Sequence, residues 1–327
     1  MMDYSQLNGK NVFITGATGL IGQALVRKLV LQNANVIALV RDEARAKEIF
    51  SDLPQTKIRY FVCDMCHLQA ENIGADYVIH CASFTSSKDF AERPADVISK
   101  NIRGTERALD FAVNNNVKSF VYLSTMEVYG CPTTDDKISE DSPTNLNAMS
   151  VRSCYPESKR LCECLCAAYS KQYDLPAKVI RLTQTFGEGV RYDDGRVFAE
   201  FARCAIENRN IILKTKGETK RNYLYIDDAV SAILAVLLYG ESGEAYNAAN
   251  EDTYCSIYEM ARLVAEKCSN GIKVEIKEED VTKFGYAPTL HMNLSCKKLN
   301  ALGWTAKVGL KEMFDNTIAY MRKSKGL

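Results

Sequence analysis

Along the first 186 residues, short continuous apolar runs alternate with longer stretches in which apolar residues recur every three to four positions. Val12-Phe13-Ile14, Val36 to Val40, Ile58 to Val62, Tyr77 to His80, Phe120 to Leu123 and Val179 to Leu182 are short and mainly apolar, with Arg59 and Arg181 as charged interruptions, so they read as strands. Between them Leu20, Ile21, Leu25 and Leu29 keep helical spacing. So do the apolar residues at 102, 109, 112 and 113 of a helix predicted over Asn101 to Asn114, which the run Asn114-Asn115-Asn116 stops. A further helix opens at Ser153-Cys154-Tyr155-Pro156, with proline tolerated in the first turn, and continues to about Tyr173. Leu161, Leu165 and Ala168 are its predicted apolar face. Strands alternating with helices predict an α/β fold with a doubly wound parallel sheet, whose ligands sit beyond the carboxyl ends of the strands.

Past Phe186 the pattern changes. Residues 187–222 and 252–327 mix short helices, charged turns and isolated strands, while Tyr223 to Tyr239 and Ala245 to Ala249 read as returns to the main sheet. The expected organisation is a dinucleotide-binding domain over 1–186 with a return segment at 223–250. Residues 187–327 then supply a smaller, discontinuous α/β substrate domain. The polar stretch Thr133 to Asn147, rich in Asp, Ser and Pro, reads as a surface loop near the strand ends.

The turn after the first strand carries the first chemical signal. Gly16, Gly19 and Gly22 follow at intervals of three, with Thr18 among them, and Leu20 and Ile21 begin the helix. Gly16 permits a sharp turn, Gly19 lets the backbone approach a pyrophosphate, and Gly22 lets helix and strand pack closely. The free N–H groups and positive dipole end of the helix then face the phosphates. This is the Rossmann arrangement for a dinucleotide. Later strand ends fit the same ligand. Arg41, with Arg45 one turn on, stands where an acidic residue would hold adenosine hydroxyls, and an arginine there can meet a 2′-phosphate. The cofactor is therefore NAD or NADP, leaning to NADP. Asp64 can accept from the adenine amino group while Met65 covers the ring. The small residues Cys81, Ala82 and Ser83 suit a backbone that passes close to the cofactor.

Composition narrows the class. The 327 residues are 46% hydrophobic and 25% charged, with formal net charge +0, so no nucleic-acid or anionic-membrane partner is indicated. No apolar run approaches the roughly 20 residues of a bilayer span. The start, MMDYSQLNGK, has no hydrophobic signal core, and a cytoplasmic protein is expected. Twelve cysteines are irregularly spaced. Cys63 and Cys66 form C-x-x-C without a second pair, and of Cys162, Cys164 and Cys166 only the first and last share a helix face. None of His67, His80 and His291 lies at ligand spacing from a cysteine. The cysteines read as reduced core residues, and no metal is expected.

Tyr155 and Lys159 lie four apart on one helical face, and Ser124-Thr125 ends the fifth strand. Together with Gly16 to Gly22 and the segment Thr125 to Gly130, this resembles the short-chain dehydrogenase/reductase superfamily in its extended form. More narrowly it resembles the NAD(P)-dependent nucleotide-sugar epimerases and dehydratases, from about residue 9 to Leu302-Gly303-Trp304. The resemblance implies that Tyr155 takes the proton of a sugar hydroxyl, that Thr125 holds the same oxygen, and that Lys159 anchors the nicotinamide ribose, with Ser124 beside the cofactor. A free tyrosine titrates near about 10. The Lys159 ammonium and the positive nicotinamide ring are expected to lower that value.

The first product implied is a nucleotide-linked 4-keto sugar. In the resembled 4,6-dehydratases an Asp and a Glu follow the Thr; here they are Met126 and Glu127. A thioether cannot donate a proton, which counts against 4,6-dehydration. Glu127 keeps open proton abstraction at C5, as in decarboxylation or a C5-centred epimerisation. Gln184 stands where the resembled enzymes carry an Asn to the sugar diphosphate, and Arg221 matches their diphosphate arginine. A second arginine expected before Leu302 is absent, with His291 merely nearby. The expected activity is therefore epimerisation of a nucleotide sugar through transient C4 oxidation, with dehydration or decarboxylation as the alternative. A cofactor-binding regulator would not need Thr125, Tyr155 and Lys159 together. The helices over 101–114 and 156–173 resemble those of the superfamily's dimer contact, so a homodimer is expected.

Overall fold

The computed structural model describes residues 2–269, 271–279 and 289–327, and within them the short apolar runs pair into one parallel sheet. In chain order the first half gives β1 (Asn11–Thr15), α1 (Leu20–Leu31), β2 (Asn35–Val40), α2 (Glu43–Ile49), β3 (Ile58–Val62), β4 (Tyr77–His80), α3 (Ser87–Glu92), α4 (Pro94–Asn114), β5 (Ser119–Thr125), α5 (Cys154–Tyr173) and β6 (Ala177–Leu182). The second half adds β7 (Gln184–Phe186), α6 (Val197–Glu207), β8 (Ile211–Leu213), β9 (Lys220–Tyr225), α7 (Ile226–Tyr239), β10 (Ala245–Ala248), β11 (Asn250–Ser256), α8 (Ile257–Lys267), β12 (Val274–Ile276), β13 (His291–Met292), α9 (Lys297–Ala301) and α10 (Leu310–Lys325). The sheet order is β10-β6-β5-β4-β1-β2-β3, and every pairing is parallel. This is the α/β, Rossmann-type sheet that the alternation implied. Its strand order reverses between β1 and β4, which opens a crevice at their carboxyl ends.

Both faces of the sheet are covered because successive side chains alternate. Val12 and Ile14 join one core with Leu25 and Leu29 of α1 and Ile233 of α7. Phe13 joins the other with Leu109 and Phe111 of α4 and Cys162 of α5, its ring stacked 4.2 Å from that of Phe111. A third core lies under the later residues, between Phe186, Phe198 and Phe201, Tyr223 and Phe314. A second, four-stranded sheet of β7, β9, β11 and β13 frames it.

Three details differ from expectation. Helix α4 begins at Pro94 rather than Asn101, because proline is well placed in a first turn. Tyr223 to Tyr225 belongs to β9 of the second sheet, whereas α7 and β10 do return to the main one. The Leu161 face of α5 points outward, Leu161 being 46% exposed. The buried stripe is instead Tyr155, Lys159, Cys162 and Cys166. That stripe also has helical spacing, but a reading by hydrophobicity passes over a lysine. The Thr133–Asn147 stretch is the surface segment expected, mostly exposed, and it is anchored at several points. Ile138 N–H donates to the Asn293 carbonyl (2.8 Å), and Ser295 N–H to that of Ile138 (2.9 Å). Asp135 accepts from Lys220 (2.9 Å) and Tyr254 (2.6 Å) and lies 3.0 Å from His291 Nδ1.

Candidate active site

At the crevice the turn after β1 meets the end of β4. Gly16 has φ +68°, and a Cβ there would stand 2.8 Å from the Ala82 nitrogen, so only glycine fits against the 81–83 backbone. At Gly22 a Cβ would lie 2.1 Å from the Gly16 carbonyl oxygen. Gly19 differs, because its Cβ would meet only that oxygen at 3.3 Å and otherwise open space. It is the N-cap of α1, with no side chain capping the helix and no acidic residue in the first turn. The first N–H groups of α1 therefore face an uncrowded concavity suited to a diphosphate. Leu20 and Ile21 lean on the third core, with Leu20 Cδ1 3.0 Å from the Cβ position of Gly189. Thr18 turns its carbonyl to Gln23 (2.8 Å).

The neighbouring strand ends are disposed along the same edge. Arg41 is exposed after β2 and without a partner among the described residues. Asp42 is committed to the cap of α2, accepting from Arg45 N–H (3.0 Å). Asp64 lies two residues past β3 and accepts from Cys66 N–H (2.9 Å). Met65 is 9% exposed and packs on Gly104 of α4. Burial pushes the Cys81 thiol well up, which suits a packing role. Ser83 donates to Asn101 Oδ1 (3.1 Å), as does Phe84 N–H (3.0 Å). Asn101 in turn donates to Ser158 (3.0 Å), and Ser158 to the Tyr155 carbonyl (2.8 Å). The 83–84 backbone and α5 are thus joined by one chain of hydrogen bonds through Asn101.

Thr125, Tyr155 and Lys159 come together as the sequence suggested. Tyr155 is 7% exposed, its ring stacked on Phe90 at 4.7 Å. Lys159 is buried, donates to the Leu123 carbonyl (2.8 Å), and lies 5.9 Å from the Tyr155 ring. Burial lowers the Lys159 ammonium to about 8, partly offset by Cys162, Glu163 and Cys81. The expected acidification of the phenol is not a property of the chain's own groups. Burial and the Glu127 carboxylate raise the Tyr155 hydroxyl, against which a hydrogen bond from Thr125 and the charge of Arg152 pull down. The protein cation acting on this phenol is Arg152 rather than Lys159.

Glu127 and Arg152 form an ion pair at 2.8 Å, with the guanidinium 4.9 Å from the Phe90 ring. Met126 is buried and its sulfur accepts from Thr183 (3.3 Å), so it offers no proton to the cleft. The Ser124 hydroxyl is committed to Glu163 (2.5 Å). Arg181 clasps Glu163 at 2.8 Å and reaches the Tyr129 hydroxyl (2.8 Å). Only the backbone of Ser124 is left for a cofactor. Gln184 is half-buried on β7, opposite Tyr223 of the adjoining β9. Arg221 lies two residues along β9, its Nε buried without a partner, as is the Tyr223 hydroxyl. His291 Nδ1 instead lies 3.0 Å from an Asp135 carboxylate oxygen.

Sequence reasoning missed Asn101, Arg152, Ser158 and Glu163. Asn101 and Thr105 are polar residues four apart on a helix face that has to be buried, and that is a readable signal. The Glu127–Arg152 pair leaves none, because its members are 25 residues apart.

A profile of the NAD dependent epimerase/dehydratase family matches residues 12–249. UDP-glucuronic acid decarboxylase 1 of Xenopus tropicalis is 28% identical over 98% of this chain and 74% of its own length. The dTDP-D-glucose 4,6-dehydratase of Homo sapiens is 28% identical over 96% of this chain and 91% of its own. Among solved structures, UDP-glucose 4-epimerase of Thermotoga maritima with UDP-glucose superposes with TM-score 0.82 at 24% identity, covering 96% of this chain and 99% of that one. The UDP-glucuronic acid 4-epimerase of Bacillus cereus in complex with NAD gives TM-score 0.78 at 20% identity, covering 96% and 99%.

Proposed function

The chain belongs to the NAD dependent epimerase/dehydratase family, and from that premise we propose that it is a nucleotide-sugar epimerase acting through transient C4 oxidation. The observation that carries this reading is the burial of Tyr155 and Lys159 one turn apart beside Thr125, on the same sheet edge as the glycine cradle. Bound in that cradle, NAD or NADP supplies a hydride acceptor. Tyr155 takes the proton of the C4 hydroxyl, Thr125 holds that oxygen, and Lys159 anchors the coenzyme ribose. Gly16, Gly19, Gly22 and the start of α1 hold the diphosphate, while Asp64 and the backbone of 81–83 border the adenine and nicotinamide sides. Gln184 and Arg221 receive the diphosphate of the nucleotide sugar. Residues 1–186 with 223–250 form the coenzyme half and 187–327 the substrate half of this reading.

A second outcome is favoured by Glu127, a carboxylate beside the phenol and paired to Arg152. From a 4-keto uronic acid it would serve loss of carbon dioxide. The 4,6-dehydration route lacks its acid at Met126. Turnover of UDP-, dTDP-, GDP- and CDP-sugars, uronic acids included, followed by mass and NMR, separates these outcomes. Epimerisation leaves mass unchanged, while loss of water or carbon dioxide replaces the first reading with the corresponding alternative. Failure to bind any nucleotide sugar overturns all of them.

The partnerless Arg41 supports acceptance of NADP, since Asp42 is occupied by its cap. The outward faces of α4 and α5, exposing Ile98 and Leu161, support a homodimer that sedimentation tests. Among the described residues no helix is long and apolar enough to cross a membrane, and no three His, Cys, Asp or Glu side chains gather as a metal site.

A further inference from the structure

His80 ends β4 with its ring fully buried, and no step above uses it. Its Nδ1 lies 2.7 Å from the Thr15 hydroxyl and its Nε2 3.2 Å from that of Thr105. The directions of these bonds follow from the groups around them. Thr105 donates its one proton to the Asn101 carbonyl (2.8 Å), so its oxygen must accept from His80 Nε2–H. Thr15 Oγ accepts the N–H of Ala82 (3.1 Å) and keeps its own proton for His80 Nδ1. One tautomer satisfies all five polar groups, a neutral imidazole protonated on Nε2. The doubly protonated ring would set two donors against each other at Thr15.

Thr15 immediately precedes Gly16, and Ala82 is the residue against which Gly16 is packed. The imidazole therefore orients the hydroxyl that takes the Ala82 N–H, which joins the two walls of the glycine cradle beside the bond from Cys81 N–H to the Thr15 carbonyl (3.3 Å).

We propose that His80, locked as its Nε2–H tautomer between Thr15 and Thr105, is a positioning residue that clamps the 81–83 backbone to the glycine turn and so preorganises the dinucleotide cradle. The inference rests on the reading of that cradle as a coenzyme site. Burial, aided by the nearby Lys159 charge, holds the ring down to about 3, so the clamp does not open at physiological pH. Without the Thr15 hydroxyl the Ala82 N–H is a part-buried donor with no acceptor, and the 81–83 backbone is held to Thr15 only through the longer Cys81 bond.

The test combines a spectrum with a binding measurement. Long-range proton–nitrogen NMR of histidine-labelled protein without added coenzyme, with His80 assigned by its loss in His80→Phe, should show Nε2 protonated and Nδ1 bare from pH 5 to 8. NADH and NADPH titrations should give binding about tenfold or more weaker for Thr15→Val, and near-native binding for Thr15→Ser, which restores the hydroxyl. A merely structural role would lower the melting temperature of Thr15→Val while its folded fraction bound coenzyme normally. That result overturns the proposal, as does a spectrum with Nδ1 protonated. If Thr15→Val does not fold, the tautomer decides. If wild type binds neither coenzyme, the coenzyme reading of the cradle fails, while the spectrum still reports on His80.

Discussion

Replacing Gly22 by alanine tests the cradle most directly. The added methyl would sit 2.1 Å from the Gly16 carbonyl oxygen and 2.9 Å from Ala17 Cα and carbonyl carbon. All three are backbone atoms of the turn, so no side chain can swing away. Ordinary contact begins at 3.4 Å, so the first turn of α1 must move off β1 by about 1.3 Å. Overpacking of this kind costs about 1–3 kcal/mol of stability, and displacement of a binding group by an ångström costs on the order of 10²-fold in function. Gly19→Ala separates the two effects. Its φ of −78° is open to alanine and its Cβ meets little, so stability should fall by less than about 1 kcal/mol. Its methyl nevertheless stands at the uncapped helix terminus where a diphosphate must approach. The assays are urea unfolding and NADH/NADPH fluorescence titration, with Gly195→Ala, which touches nothing within 4 Å, as control. Gly22→Ala should lose stability and affinity, and Gly19→Ala affinity alone. If Gly22→Ala bound both coenzymes as tightly as wild type, the reasoning about a close helix–strand approach would be wrong.

Three other perturbations follow from the same geometry. Tyr155→Phe should lower turnover roughly 10²–10⁴-fold while coenzyme affinity and melting temperature hold, which steady-state kinetics and calorimetry read together. Arg41→Gln should weaken NADPH about tenfold or more and leave NADH unchanged, measured as paired titrations; equal loss of both would dismiss the 2′-phosphate contact. Lys178, buried against Ser119 (2.6 Å) and the Leu237 carbonyl (3.3 Å), is lowered by burial to about 8 from 10.5. Below pH 8 it is charged in both states and its burial penalty is present; between about 8 and 10.5 the unfolded chain holds the extra proton, so stability rises with pH. Lys178→Met should be more stable than wild type by up to ~3 kcal/mol at pH 7, a gap that closes towards pH 10 in urea melts.

The elements legible in the sequence are those whose cause is local. A central strand of the parallel sheet is buried on both faces, so it shows as a short, mainly apolar run; all six segments so read before residue 187 are strands, including the edge strand β3 with its exposed Arg59 and Val62. The glycine turn was legible for the same reason, because its backbone requirement is written in consecutive residues. Later residues gave less. The strands β7 and β13 are short, and β9 joins them by pairing Tyr223 with Gln184 and Lys220 with His291, a proximity no spacing records. The segment over 133–147 is legible as a surface loop, but its anchors, Asn293, Ser295 and Tyr254, lie more than a hundred residues away and leave no local mark.

The same division explains the site. Tyr155 and Lys159 are read from one helix turn, but the charges that act on them come from other elements. A carboxylate on the turn after β5 raises the phenol, and an arginine from the turn before α5 opposes it. Sequence reasoning assigned that opposing charge to Lys159, because four residues on a helix imply proximity. The lysine instead reaches from α5 to the Leu123 carbonyl of β5, where burial lowers its own proton affinity. Helical spacing therefore fixes which side chains share a face and leaves open which ends meet. In this site the ends are set by what lies across the crevice: Phe90 under the phenol, Arg152 on Phe90, and Glu127 on Arg152. The order of those contacts makes Arg152, rather than a further residue of the helix, the place where a change of charge moves Tyr155 without touching it.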